Sequence, residues 1–253
     1  MYAEERQRSI LERARGEGRV DVAVLASEFQ VTYETIRRDL TTLERHGVLR
    51  RVHGGAIPIE RLGFEPTLTA RDSVMTVEKE RIAKAALTEL PEDGSVLLDA
   101  GSTTGRLAEQ LPTDRELTVI TNSLSIAFTL TPRTNITLML LGGRLRARTQ
   151  ASVDAWALRA LEETYVDVAF IATNGVSIER GLTTPDSAEA MVKRAMLRAA
   201  RRSVLLADHS KVGNDHLTRF ATLDDIDCLI TDAGLAAELA EDSRARGPRG
   251  IMA

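Results

Sequence analysis

The chain has one cysteine, Cys228, in 253 residues. A disulfide framework within the chain and a cysteine-built zinc site are both excluded. Cys228 lies in the apolar run Ile226-Asp227-Cys228-Leu229-Ile230 and reads as buried filler rather than a nucleophile. No apolar stretch approaches the ~20 residues of a membrane span. The N-terminal residues MYAEERQRSILERARGEG carry charge throughout and lack the apolar segment of a signal peptide. No membrane association is expected, and the cytoplasm is the expected compartment. Lysine is scarce: of 33 basic residues only Lys79, Lys84, Lys193 and Lys211 are Lys, and the rest are Arg. The net charge of −4 argues against a protein that coats nucleic acid non-specifically. It leaves room for a local basic face, because residues 1–57 hold ten arginines against nine acids.

With 43% hydrophobic and 28% charged residues, the composition is that of an ordinary globular protein, and the length allows two domains. Residues 1–57 read as three helices and a short hairpin. Residues 58–76, with Pro58 and Pro66, read as a linker. From 77 to 232, short apolar runs alternate with helical stretches, the pattern of parallel strands joined by crossover helices. Residues 233–253 read as a helix over Leu235–Glu241 and a charged end expected to fray.

In the first segment, Ile10, Leu11 and Ala14 form the inner stripe of a helix that ends near Gly16 and Gly18. Asp21 is a good N-cap for a second helix with Leu25, Ala26 and Phe29 inside. After the tight turn Gln30-Val31-Thr32, Thr32 can cap a third helix over Tyr33–His46, whose inner face is Ile36, Leu40 and Leu43. Gly47 would end it. Helix, turn, helix is the arrangement in which the second helix enters the DNA major groove. The outer face of that helix carries Tyr33, Glu34, Arg37, Arg38 and Thr41. Arg37 and Arg38 lie about 100° apart, so one can reach guanine O6 and N7 while the other meets phosphate. The run Val48 to Ala56 reads as a strand, a glycine turn and a return. This is a wing, with Arg50, Arg51 and His53 beside the DNA backbone. Periodicity alone equally fits a solvated helix on any three-helix domain.

In the second segment each apolar run ends in small or polar groups: Asp99 to Thr104, Thr121-Asn122-Ser123, Gly142-Gly143, Thr173-Asn174-Gly175 and Asp208 to Lys211. Ligands of open parallel sheets bind outside the carboxyl ends of the strands, so a crevice is expected there. Gly101-Ser102-Thr103-Thr104 opens a helix, and a helix start with free N–H groups suits a phosphate. Gly101 would let the backbone approach closely. Asp99 could accept from sugar hydroxyls, Asn122 could donate and accept, and Lys193 and Lys211 could balance phosphate charge. Each motif alone also has an ordinary structural reading as a cap or a turn.

The segment Val31-Thr32-Tyr33-Glu34-Thr35-Ile36-Arg37-Arg38-Asp39-Leu40, followed by Leu43-Glu44 and by Arg51-Val52-His53-Gly54-Gly55-Ala56, resembles the signature of the DeoR family of bacterial sugar-operon regulators. The resemblance implies DNA contacts from Thr35, Arg37 and Arg38, with Asp39 supporting the helix from inside. Residues 75–232 resemble the sensor domain of the same family through KERIAKAA (Lys79–Ala86), Asp99–Thr104, Thr121-Asn122-Ser123, Leu141-Gly142-Gly143, Asn174-Gly175, Lys193-Arg194-Ala195-Met196 and Asp208-His209-Ser210-Lys211. That domain is similar to ribose-5-phosphate isomerase and the glucosamine-6-phosphate deaminases. The implied fold is a winged helix-turn-helix followed by a Rossmann-like parallel α/β domain. The implied partners are operator DNA, a phosphorylated sugar effector and further copies of the chain, as homodimer or homotetramer. Ser102 stands where the family usually has Thr, and Asp154 where many members have Gly. Glu78–Arg81, Arg144, Leu182 to Asp186 and Ala207-Asp208-His209 look closest to the fructose-operon branch, which implies fructose 1-phosphate as effector. The rival reading is a sugar-phosphate isomerase or deaminase with an accessory DNA-binding domain. Such chemistry needs a general base aimed at a carbon proton, and Arg144-Leu145-Arg146 follows Gly142-Gly143 where a second carboxylate motif would be required. A non-enzyme without metal or cofactor is therefore expected.

Overall fold

The computed structural model describes residues 3–45, 48–52, 54–58, 65–233 and 248–253. The chain divides into two compact units, Met1–Val74 and Met75–Ala253.

The first unit is built from α1 (Ala3–Glu17), β1 (Val20–Asp21), α2 (Val22–Glu28), α3 (Tyr33–Arg45), β2 (Leu49–Val52), β3 (Gly55–Pro58) and α4 (Leu68–Asp72). Ile10, Ala14, Leu25, Ile36, Leu40 and Leu43 close one core, as their helical spacing requires. Asp21 caps α2 by accepting from the amides of Ala23 and Val24, and Thr32 caps α3 by accepting from the Thr35 amide at 3.2 Å. The wing has a third strand that the sequence reading lacks: β1 pairs antiparallel with β3. At two residues β1 is too short to show periodicity. Its packing leaves no room for a side chain at Gly55, where a Cβ would lie 2.0 Å from the Val20 carbonyl oxygen. Residues 68–72, expected as linker, form α4 with Thr67 as its cap. His53 and Gly47 lie outside the described residues.

A buried ion pair crosses this core. Arg6 Nε donates to Asp39 Oδ2 at 2.6 Å, and Gln7 Nε2 donates to Oδ1 at 2.9 Å. Asp39 thus braces α3 from inside and locks it to α1.

The second unit contains α5 (Thr76–Ala86), β4 (Gly94–Leu98), α6 (Ser102–Glu109), β5 (Leu117–Thr121), α7 (Leu124–Leu130), β6 (Ile136–Leu140), β7 (Arg144–Arg146), β8 (Ala151–Val153), α8 (Ala155–Glu162), β9 (Val168–Ala172), β10 (Gly175–Ser177), β11 (Gly181–Thr184), α9 (Ser187–Ala199), β12 (Ser203–Leu206), β13 (Thr218–Ala221), β14 (Cys228–Thr231) and β15 (Arg249–Met252). Seven strands form one sheet in the order β15-β14-β12-β9-β4-β5-β6, and every pairing in it is parallel. Side chains alternate between its faces. Val96, Leu98 and Phe170 pack with Ile82 of α5, Leu107 of α6 and Ile126 of α7. Leu97, Ile171 and Leu205 pack with Leu161 of α8 and Met196 of α9. With helices on both faces, the strands read as near-continuous apolar runs.

The chain end departs from expectation. Residues 235–241 lie outside the described residues, but Arg249–Met252 does not fray: it adds β15 in parallel register on β14. Ile251 packs against the core, and Arg249 and Arg202 both bond the carboxylate of buried Glu89. The charged composition that suggested fraying is here neutralised by one carboxylate from a distant turn.

Replacing Arg6 by Ala leaves the Asp39 carboxylate buried with Gln7 alone. The expected loss is about 3–5 kcal/mol of stability in the first unit, read as a lowered urea midpoint. Arg6→Met combined with Asp39→Leu should recover most of it. A single Arg6→Ala variant with an unchanged midpoint would show that the pair holds nothing.

Candidate functional site

The first unit presents one polar face of α3. Thr32, Tyr33, Glu34, Arg37 and Arg38 are exposed, Thr35 is half-buried, and Ile36, Asp39, Leu40 and Leu43 point inward. Arg37 meets Glu34 only at 3.9 Å, with both side chains largely in water, so the pair contributes little and leaves the guanidinium available. The wing is fixed to this helix. The Arg51 amide donates to Glu44 Oε1 at 2.9 Å, and Arg51 Nη1 donates to Thr41 Oγ1 at 3.2 Å. Arg50 and Arg51 are exposed on β2. Apart from His53, the residues expected at DNA therefore lie on one helix and its adjoining strand.

In the second unit the strand order reverses between β4 and β9. The chain runs outward through β4, β5 and β6, then returns to build β9, β12, β14 and β15 on the other side. Such a switch point opens a crevice at the carboxyl ends of the two central strands. Helix α6 starts there with Gly101 as N-cap and no side-chain hydrogen bond to its first amides. Helices α7 and α9 are capped by Ser123 and Asp186; α5 and α8 also lack a side-chain cap, but α6 is the uncapped helix that follows directly from β4 at the strand-order reversal. An uncapped helix start has unsatisfied N–H groups and a partial positive charge, the chemistry that holds an anion.

Several residues expected to line this crevice lie beneath it instead. Asp99 is 1% exposed. Its Oδ2 accepts from the Ala172 amide at 3.0 Å and from Lys193, whose Nζ also donates to the Ala172 carbonyl at 2.9 Å. Asp99 and Lys193 are thus committed to each other, and neither is open to a sugar or a phosphate. Burial pushes the Asp99 carboxyl above its ordinary range, and the Lys193 ammonium pulls against that rise. Thr121 donates to the Leu98 carbonyl at 2.7 Å. Asn122 accepts from the Ala100 amide and donates to the Ser152 carbonyl. Asn174 Oδ1 accepts from Thr184. These three buried side chains stitch loop to loop, because a strand end inside a packed sheet must satisfy its own backbone first. Thr104 is buried and donates to the Gly101 carbonyl, and Thr103 is buried as well. Gly101 is required by packing: a Cβ there would lie 2.8 Å from the Ala172 Cβ. Gly143 sits at φ +146°, where a Cβ would meet the Val153 carbonyl oxygen at 2.4 Å.

Ser102, Gly142, Gly143 and Lys211 keep some exposure. Asp208 is the unusual member. It is 1% exposed; its Oδ1 accepts from the Ser210 amide and hydroxyl. Its Oδ2 is buried with no hydrogen-bond partner among the described residues. Burial works to raise its pKa, but Lys211, the Ser210 hydroxyl and Lys79 together outweigh burial and hold it below the usual carboxylate range. Lys79, on α5, is itself buried. Its place beside Asp208 is missing from the sequence-based site, although the scarcity of lysine and the KERIAKAA segment that Lys79 opens both draw attention to it. His209 is oriented by a buried carboxylate, with Nδ1 2.7 Å from Asp232 Oδ2.

Asp154 has φ 75° and ψ −166°, a region that strains any residue but glycine by ~1–3 kcal/mol. Its carboxylate meets Arg144 Nε at 2.6 Å, which offsets its negative charge.

Breaking the Asp99–Lys193 pair from one side should cost about 3–5 kcal/mol of the second unit's stability. Asp99→Ala is expected to lower the thermal midpoint sharply, and adding Lys193→Met should restore much of it, since the uncompensated ammonium is then gone. Additive losses in the double variant would contradict this coupling.

Residues 6–61 match the model of the DeoR-like helix-turn-helix domain, and residues 75–233 match the DeoR C terminal sensor domain. The HTH-type transcriptional regulator GlpR of Haloferax volcanii is 38% identical over 247 residues, covering 98% of this chain and 96% of that protein. A Bacillus subtilis protein described as an uncharacterized HTH-type transcriptional regulator, FruR, is 35% identical over 233 residues, covering 92% of each. The HTH-type transcriptional repressor GlcR of Bacillus subtilis is 34% identical, covering 92% of this chain and 89% of that protein. Among solved structures, ribose 5-phosphate isomerase A from Methanocaldococcus jannaschii aligns over 53% of each chain at 19% identity with a TM-score of 0.39. With both of its units matched and relatives aligned along nearly the whole length, the chain belongs to the DeoR family of transcription regulators.

Proposed function

We propose that this regulator is a repressor of a sugar uptake or catabolism operon, released from its operator by a phosphorylated sugar such as fructose 1-phosphate. The observation that supports an anionic effector most directly is the uncapped start of α6 at the strand-order reversal. A phosphate there would take the place of the missing cap, with the Ser102 hydroxyl as a further donor. Lys211 would balance its charge from the end of β12. Strands β4, β9 and β12 are neighbours, so the strand ends that lead to Ser102 and to Lys211 lie about 10 Å apart, a spacing on the scale of a sugar phosphate. The role first given to Asp99 passes to Asp208, whose buried and unpartnered Oδ2 can accept from a sugar hydroxyl. Fructose is favoured by the Glu78–Arg81, Arg144 and Leu182–Asp186 segments. GlcR, named as a repressor, supports the direction of control.

On DNA, Arg37 and Arg38 read bases or phosphates, and Arg50 and Arg51 follow the backbone. Effector release follows if the sugar phosphate binds the DNA-competent arrangement less tightly than the released one. A catalytic alternative finds no support in Asp99, which is committed to Lys193.

Arg37→Ala and Arg38→Ala should each weaken operator binding by roughly 1–3 kcal/mol if the residue reads a base, measured by titration at fixed salt. Unchanged affinity in both variants would remove α3 from the groove. Ser102→Ala and Lys211→Ala should keep full operator affinity yet need higher fructose 1-phosphate for release. A normal release curve in both variants would dismiss the crevice as the effector site.

A further inference from the structure

The seven-stranded sheet has two edges among the described residues, and they are finished differently. Edge strands expose unpaired N–H and C=O groups, and chains that remain single blunt them with charge, proline or bulges. β15 carries Arg249. β6 reads Ile136-Thr137-Leu138-Met139-Leu140, with no charge and no proline. Its surroundings continue the theme. Phe128 on α7 is 82% exposed, Leu124 one turn earlier is 44% exposed, and Met139 and Leu140 on β6 are about half exposed. Leu124 and Phe128 share a helix face by their i, i+4 spacing, and α7 packs on β6. Phe128 alone offers on the order of 150 Å². Leu140 lies on the α7 side of the sheet with Leu124 and Phe128, and Met139 flanks the same edge from the opposite face, so exposed apolar side chains border the β6 edge on both sides.

We infer that this β6–α7 edge is where two copies of the chain associate about a two-fold axis. A strand that meets its own copy across such an axis runs antiparallel to it and continues the sheet, satisfying both rows of backbone groups. The contact is isologous, so each side chain faces the same surface it belongs to. A patch free of ionisable side chains tolerates that arrangement without like-charge repulsion. A standard interface takes about 800 Å² from each partner; the apolar patch supplies its centre, and the strand backbone with the polar side chains around it supplies the rest.

The full-length chain, without DNA or sugar, tests this by sedimentation velocity at micromolar concentration, so the outcome does not depend on the effector assignment. The wild type should sediment as a dimer or a multiple of one. The Phe128→Asp, Met139→Lys double variant should sediment at a lower multiple, with unchanged circular dichroism, because both positions are exposed. As a second measurement, Met139→Cys should form a covalent dimer under mild oxidation. Tyr165→Cys, at a site 80% exposed elsewhere in the unit, should not. The native Cys228 is buried and gives no background. A monomeric wild type, an assembly untouched by the double variant, or equal crosslinking at both cysteines would overturn the assignment. A monomer destabilised by the double variant would show that the patch is covered by its own chain, which overturns it as well.

Discussion

The Lys193–Asp99 ion pair is the interaction on which the sensor unit turns. The strands at the switch point, β4 and β9, pair side by side through Leu98 and Phe170, and the ion pair continues that link beyond their last paired residues. Asp99 leaves β4 and accepts from the amide of Ala172 at the end of β9, while Lys193 reaches down from α9 to the carbonyl of the same residue. Both polar groups of one peptide end are thus satisfied by one buried pair. The ammonium also lies 5.7 Å from the Phe220 ring centroid, within range of a cation–π contact. One turn earlier on α9, Glu189 accepts from Arg146 and Thr149 of the β7–β8 hairpin. The pair and its neighbours tie α9, β9 and the β7–β8 hairpin to the carboxyl end of β4.

Much of this architecture was legible in the sequence. Apolar runs of four to six residues ending in Asp, Asn, Thr or Gly located β4, β5, β6, β9 and β12, because a strand buried on both faces must be apolar until it reaches the sheet edge. Helical spacing located Ile36, Leu40 and Leu43. The inward place of Asp39 was implied by the family resemblance, and its partner Arg6 could not be named because a contact spanning 33 residues leaves no local pattern. The same limit explains β1 and β15, whose strand character comes from the neighbour they pair with.

Several polar residues that the sequence places at the crevice are tied to the protein's own loops and backbone. Polar residues at strand ends serve two masters, ligand and backbone, and composition does not separate them. Asn122, Thr121 and Asn174 look like ligand contacts in sequence and are loop ties in the structure. Asp99 and Asp208 look equivalent in sequence. Only coordinates show that Asp99 is neutralised by Lys193, while Asp208 keeps an oxygen without a partner.

The scarcity of lysine has a practical corollary. Lys79 and Lys193 are sealed in the sensor unit at 2% and 3% exposure, while Lys84 stands in solvent on α5 and Lys211 is half-buried at the crevice. An amine-selective reagent therefore meets two reachable side chains in this unit, one on α5 and one shortly after β12. Under the proposed effector reading, their ratio of labelling turns the chain into its own reporter, with Lys84 as internal standard and Lys211 as the signal that falls when sugar phosphate is bound.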